Sequence, residues 1–159
     1  MRKMVAVSLL FQLAGAPAIT PLAAADFAFQ FTFGSCALDT TTGLLTHDRA
    51  PRVQVSLTLA EDQMAAIAAS LAEIAFFNYP STFIGTPPGL TAYSINAAAP
   101  TYRMSVQLGE KNHVVTWTDS TRPSTDEADR LRSLFERILG FIGRQPGYAE
   151  LLAQGADCR

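Results

Sequence analysis

The chain has 159 residues, with 12 Lys and Arg against 14 Asp and Glu and a formal charge of −2 at pH 7. Charges of both signs are interspersed and no run of one sign occurs, which argues against nucleic acid and anionic lipid as partners, because both are held by basic patches. A chain of this length is expected to form one domain with enough residues for a real core.

In chain order the first feature reads as an address. Arg2 and Lys3 are followed by an uncharged apolar run from Met4 to Ala14. That run has the length of a signal-peptide core and is too short to span a bilayer. Pro17 and Pro21 break a helix after it. Ala23-Ala24-Ala25 supplies the small residues that a signal peptidase needs. Cleavage before Asp26 is expected, leaving residues 26–159 as a single domain. Those residues hold ten basic and fourteen acidic side chains, a charge of −4. No later apolar stretch reaches the length of a membrane span. The expected location is therefore the periplasm or the extracellular medium.

Phe27, Phe29, Phe31 and Phe33 alternate with smaller or polar residues. A period of two puts four rings on one face of a strand, as packing against a core requires. Asp39 to Gly43 (DTTTG) reads as a turn, and Leu44 to Asp48 as a second strand. Val53, Val55, Leu57 and Leu59 alternate again and predict a strand. Thr58-Leu59-Ala60-Glu61 has the pattern of a capping box. Behind it Met64, Ile67, Leu71 and Ile74 fall on one face of a helix over about residues 60–75. The segment Phe76-Phe77-Asn78-Tyr79-Pro80 is expected to end that helix, since the residue before proline avoids the α region.

Residues 81–100 contain Gly85, Pro87, Pro88, Gly89 and Pro100 and read as a long loop. Tyr102, Met104, Val106 and Leu108 alternate in another strand. A turn over Gly109 to Asn112 leads to a return strand from His113 to Thr118. Ser124 to Glu127 forms a second capping-box pattern. Ala128, Leu131, Leu134, Phe135, Ile138, Phe141 and Ile142 then make a broad stripe on a helix over about residues 125–143, stopped by Gly143 and Pro146. A short helix is expected over Gly147 to Ala153. Strands, helix, hairpin and helix in this order are best satisfied by an α+β two-layer sandwich. Its sheet would be mainly antiparallel, with both amphipathic helices on one face.

Cys36 and Cys158 are the only cysteines. In an exported chain they are candidates for one intramolecular bridge. Two free thiols or an intermolecular pair are the alternatives. No C-x-x-C motif suggests thiol chemistry. The two histidines, His47 and His113, have no metal-ligand spacing, and no cofactor or metal is expected. Gly34-Ser35-Cys36 lacks the context of a serine nucleophile. Asp39, Asp48 and Asp119 lie near predicted turns, where aspartate commonly caps its own backbone. Apolar and aromatic side chains in or beside the long loop, Phe83, Ile84, Leu90, Tyr93 and Trp117, are candidates for contact with a partner. The bland reading of Trp117 is a ring that caps the core beneath a helix.

The block Leu57-Thr-Leu-Ala-Glu-Asp-Gln-Met64, with Ile67, Leu71, Ile74 and Phe76-Phe77-Asn78-Tyr79-Pro80, follows a turn marked by Leu38-Asp39-Thr40 and Asp48. Tyr102, Trp117 and Tyr148 to Leu151 follow later. In these features the chain resembles a group of small bacterial exported domains of unknown function. Leu152 stands where such domains often carry a proline. The resemblance implies a fold and export, and transfers no catalytic residue. Together these readings lead to an expected non-enzymatic binding domain of the cell envelope, whose partner is a protein or another envelope component. A small hydrolase using Asp39, Asp48, His47 or His113 is the alternative from another class. A purely structural envelope protein is the third.

Overall fold

The computed structural model describes residues 26–50, 52–87, 89 and 94–158. The expected signal segment, Leu90 and Tyr93 lie outside the described residues. The fold is an α+β sandwich. Strands β1 (Phe27–Phe33), β2 (Cys36–Asp39), β3 (Leu44–His47) and β4 (Val53–Ser56) precede helix α1 (Glu61–Glu73). Next come β5 (Thr82–Phe83), β6 (Ser94–Ile95), β7 (Thr101–Leu108), β8 (Lys111–Thr118) and β9 (Thr121–Arg122). Helices α2 (Asp126–Ile142) and α3 (Pro146–Ala153) close the chain.

Seven strands form one sheet in the order β4-β3-β2-β1-β7-β8-β5, and β6 pairs with β9 in a small second sheet. All neighbours in the large sheet are antiparallel except β5, which runs parallel to β8. The chain therefore grows outward from β1 through three hairpins, crosses over through α1, and returns to the other side of β1 with β7.

Period-two alternation decides which side chains face the helices. Phe31 lies opposite Leu38 and Met104, Leu38 opposite Leu45, Leu45 opposite Val55, and Met104 opposite Val115. All of these are buried, so a single apolar row crosses six strands. Helix α2 covers it. The Phe135 ring is 5.1 Å from the rings of both Phe31 and Tyr102. Leu131, Leu134, Ile138 and Ile142 extend the same buried stripe along the helix. Full burial of side chains of this size contributes roughly 1.5–3 kcal/mol each. The outer face carries Gln30, Thr32, Thr46, Gln54, Arg103 and Ser105, which are exposed or half-buried.

Several boundaries differ from the sequence expectation, each for a local reason. The strand at Val53 ends at Ser56, so Leu57 and Leu59 are buried without belonging to it. The first residue before α1 is Ala60, not Thr58. Only the reciprocal half of a capping box forms there: the Ala60 N–H donates to Gln63 Oε1 at 3.0 Å. At α2 the cap is Thr125, not Ser124, and its Oγ1 accepts from the Ala128 N–H at 3.1 Å. Helix α1 ends at Glu73, two residues short of the expected end near residue 75, and Ala75 adopts a left-handed turn, followed by a 3-10 turn at Phe76–Asn78. Tyr79, which precedes the proline, is extended as expected. The predicted long loop contains β5 and β6, whose two-residue strands are too short to leave a periodic pattern.

Helix α3 packs on the sheet edge. A side chain at Gly147 would collide with the Ser56 carbonyl oxygen, so a residue without Cβ permits the approach. The predicted bridge is formed: Cys36 and Cys158 are joined across 122 positions. It ties the segment after α3 to the start of β2. Ser35 Oγ donates to the Asp157 carbonyl beside it.

Candidate functional site

The segment after Pro80 carries two of the predicted contact residues, Phe83 and Ile84, and pairs with the strand that carries a third, Trp117. Thr82 and Phe83 pair with Thr116 and Trp117 of β8. The Phe83 ring packs 5.1 Å from Tyr79 and 5.9 Å from Trp117. Gly85 follows with φ of 67°, buried so closely that a Cβ would lie 3.1 Å from Ala128 and 3.4 Å from Trp117 Nε1. Between these two fixed points Ile84 is 67% exposed. An apolar side chain is thus presented to solvent from backbone that is pinned on both sides.

Trp117 itself is not on that surface. It is 2% exposed, with Phe83, Tyr102 and Phe135 around it and the Arg132 guanidinium 5.5 Å from its ring. Its part in any contact is to buttress Phe83, which is half-buried. Tyr79 is buried as well, and its hydroxyl donates to the Glu127 carbonyl at 2.9 Å. Burial, then the negative charge of Glu127, raises its pKa.

The four residues of the hydrolase alternative do not converge. Asp39 and Asp48 line an open groove on the outer face with Arg52, which pairs with Asp48 at 3.4 Å. Asp39 accepts the Thr41 N–H at 2.8 Å, the turn-capping role expected of it. His47 is 4% exposed and lies opposite Cys36 and Val53 on the inner face. His113, expected in solvent, is half-buried. Its Nε2 is 2.8 Å from the Tyr79 carbonyl, a contact that places the proton on Nε2. Strands β3 and β8 are four spacings apart in the sheet, about 19 Å at 4.8 Å per strand. One small substrate cannot meet both imidazoles.

Two polar constellations left little trace in the sequence. Asp119, just after β8, accepts from Arg132 Nε and Nη2, both at 2.7 Å, and from Arg122 Nη1 at 2.8 Å. Burial by itself would raise the Asp119 pKa. The hydrogen bonds from Arg132 and Arg122, and their charges, outweigh it and hold the carboxyl below its ordinary value. Arg132 also reaches Asp129, and its own pKa is raised chiefly by the bond to Asp119. This cluster fastens the β8–β9 turn to α2.

The second constellation is a cleft of about 280 Å³ between α1 and α2. Its polar walls are Ser70, Glu73, Asp129, Arg130, Ser133 and Arg137, and Ile74 and Leu134 supply apolar surface. The spacing of Arg130, Ser133 and Arg137 places them along one helical face, which is the only sign of them in the sequence. Elsewhere, two neighbouring clefts border the disulfide and share Phe33, Leu139 and Cys158 in their walls.

Among the described residues no group of three His, Cys, Asp or Glu is placed to hold a metal ion. Among the same residues no helix is long and apolar enough to cross a membrane. The sequence matches no model of a known protein family and no curated protein.

Proposed function

We propose that this is an exported domain of the cell envelope that acts by binding a protein or another envelope component, with Ile84 as a contact residue. The observation that carries the reading is the exposure of Ile84 on backbone fixed by β5 and Gly85. Apolar side chains held rigidly at a surface lose little entropy when a partner covers them. The disulfide is compatible with an oxidising compartment. The dispersal of Asp39, Asp48, His47 and His113 weighs against the hydrolase alternative.

The test uses site-directed photo-crosslinking in cells. A photoreactive residue at position 84 is expected to capture one specific envelope partner, while one at Thr46 on the outer face captures none. Ile84→Asp should abolish binding of that partner with an unchanged thermal midpoint, because the side chain is already in water. Equal capture at both positions, or no capture at 84, would overturn the proposal. Sequencing of the secreted or periplasmic protein should begin at Asp26.

A further inference from the structure

The walls of the cleft between α1 and α2 do not include Ile84, and its chemistry points to a different kind of ligand. We infer that it binds a small zwitterion of the α-amino-acid type, with Arg130 and Arg137 holding the carboxylate and Glu73 facing the ammonium. Arg137 is held at one wall. Its Nη1 donates to Ser70 Oγ at 2.6 Å, and Ser70 is 6% exposed and donates in turn to the Ala66 carbonyl at 2.9 Å. The guanidinium therefore rests on a neutral hydroxyl, although two carboxylates line the same cleft. Among the described residues neither Arg130 nor Arg137 forms an ion pair within 4.0 Å. Asp129 is already engaged by Ser124 and Arg132.

What remains is two guanidiniums on α2 without a carboxylate partner among the described residues, and one carboxylate on α1. Guanidinium is shaped to take a carboxylate in two parallel hydrogen bonds. Glu73 repels a phosphate dianion but accepts from an ammonium group, so the charge pattern favours a zwitterion over a plain anion. A cleft of about 280 Å³ suits a free amino acid or a dipeptide, and Ile74 and Leu134 can cover a short side chain. The charged walls are open to water, which weakens each ion pair. The expected affinity is roughly millimolar.

Titration of the isotopically labelled protein with alanine, dialanine, acetate, methylammonium and inorganic phosphate tests this by NMR. Alanine or dialanine should give saturable amide shifts confined to residues 70–74 and 129–137, with acetate about tenfold weaker, a difference of one ionic contact. Arg137→Met should weaken both alanine and acetate about tenfold. Glu73→Gln should weaken alanine and, by removing a like charge, bind acetate no more weakly than the parent does. Both side chains are exposed, so the dispersed spectrum should persist in each variant and separate lost binding from lost folding. Absence of saturable shifts in these segments, acetate equal to alanine, or phosphate tighter than alanine would each overturn the inference. None of these outcomes depends on the partner surface at Ile84.

Discussion

Ala75 has a φ of 52° despite its Cβ. The left-handed turn there lets the chain leave α1 and drop the buried Phe76 ring into the core. That backbone region strains any side chain, and glycine relieves it at the cost of a more flexible unfolded chain. Ala75→Gly should therefore stabilise the protein by about 0.5–1 kcal/mol, read from the denaturant midpoint; an unchanged or lowered midpoint would show that the turn is not strained. Asp119 is a case of the opposite kind, a charged residue whose partners are all in place. Asp119→Asn should cost about 1–3 kcal/mol at pH 7, because Arg132 and Arg122 lose a charged acceptor. The sign of its pH dependence follows from the lowered pKa. The stability that Asp119 contributes is fully present above the unfolded aspartate value of 3.8 and is lost as the pH falls through the lower folded value. The gap between the two proteins should then narrow below about pH 4. A constant gap down to acid unfolding would show that its charge is not what matters.

At the scale of elements, the two long helices are started by different means. Helix α2 has a side-chain cap at Thr125, whereas the N-cap of α1 is Ala60, which has no side-chain oxygen to offer. Thr125→Ala should cost about 1 kcal/mol. Thr58→Ala, at the position that the sequence pattern favoured, should leave stability within about 0.5 kcal/mol of the parent. Thermal or chemical unfolding of both variants would compare them directly, and a larger loss at Thr58 would mean that α1 starts earlier in solution. Both capping patterns were visible in the sequence, yet both caps were shifted by one or two residues. At α2 neighbouring Ser, Thr and Asp side chains can all cap, whereas at α1 the stripe packs so that the helix starts after Ala60 and Thr58 is left outside it. The stripes themselves were legible. Ile67 and Leu71 on α1, and Leu131, Leu134, Phe135, Ile138 and Ile142 on α2, are buried as their spacing requires.

At the scale of the whole molecule, one covalent bond joins the start of β2 to the segment after α3. In the chain-entropy account, closing a loop across 122 positions stabilises a fold by about 4–5 kcal/mol, and measured effects are often smaller. The Cys36→Ala and Cys158→Ala double variant should lose about 2–5 kcal/mol. Hydrogen exchange should show the loss first in α3 and the segment after it, since these pack at the edge of the sheet by β3 and β4. Uniform loss of protection across the sheet would show that the bond guards the fold as a unit. The sandwich also sets what the surface can offer. Its inner face is consumed by α2 and α1, its outer face is polar, and among the described residues the exposed large apolar side chains are Ile84 and Leu152, the latter in the wall of a cleft beside the disulfide.

Periodicity by itself determined most of the architecture. Alternating phenylalanines require a strand with one buried face, helical stripes require a sheet to cover, and two such helices lead to a two-layer α+β fold. The pair of cysteines allowed a bridge but left two alternatives, because chain separation says nothing of distance in space. Tertiary structure decided which pairs of residues meet. It buried Trp117 and left Ile84 in water, although both are apolar residues near one loop. It separated His47 from His113 by the width of three intervening strands. It gathered Ser70 and Arg137, 67 positions apart, into one cleft. Local pattern is written along the chain, where neighbours interact. A site depends on contacts between distant segments, and those arise only when the sheet order and the helix crossings are fixed.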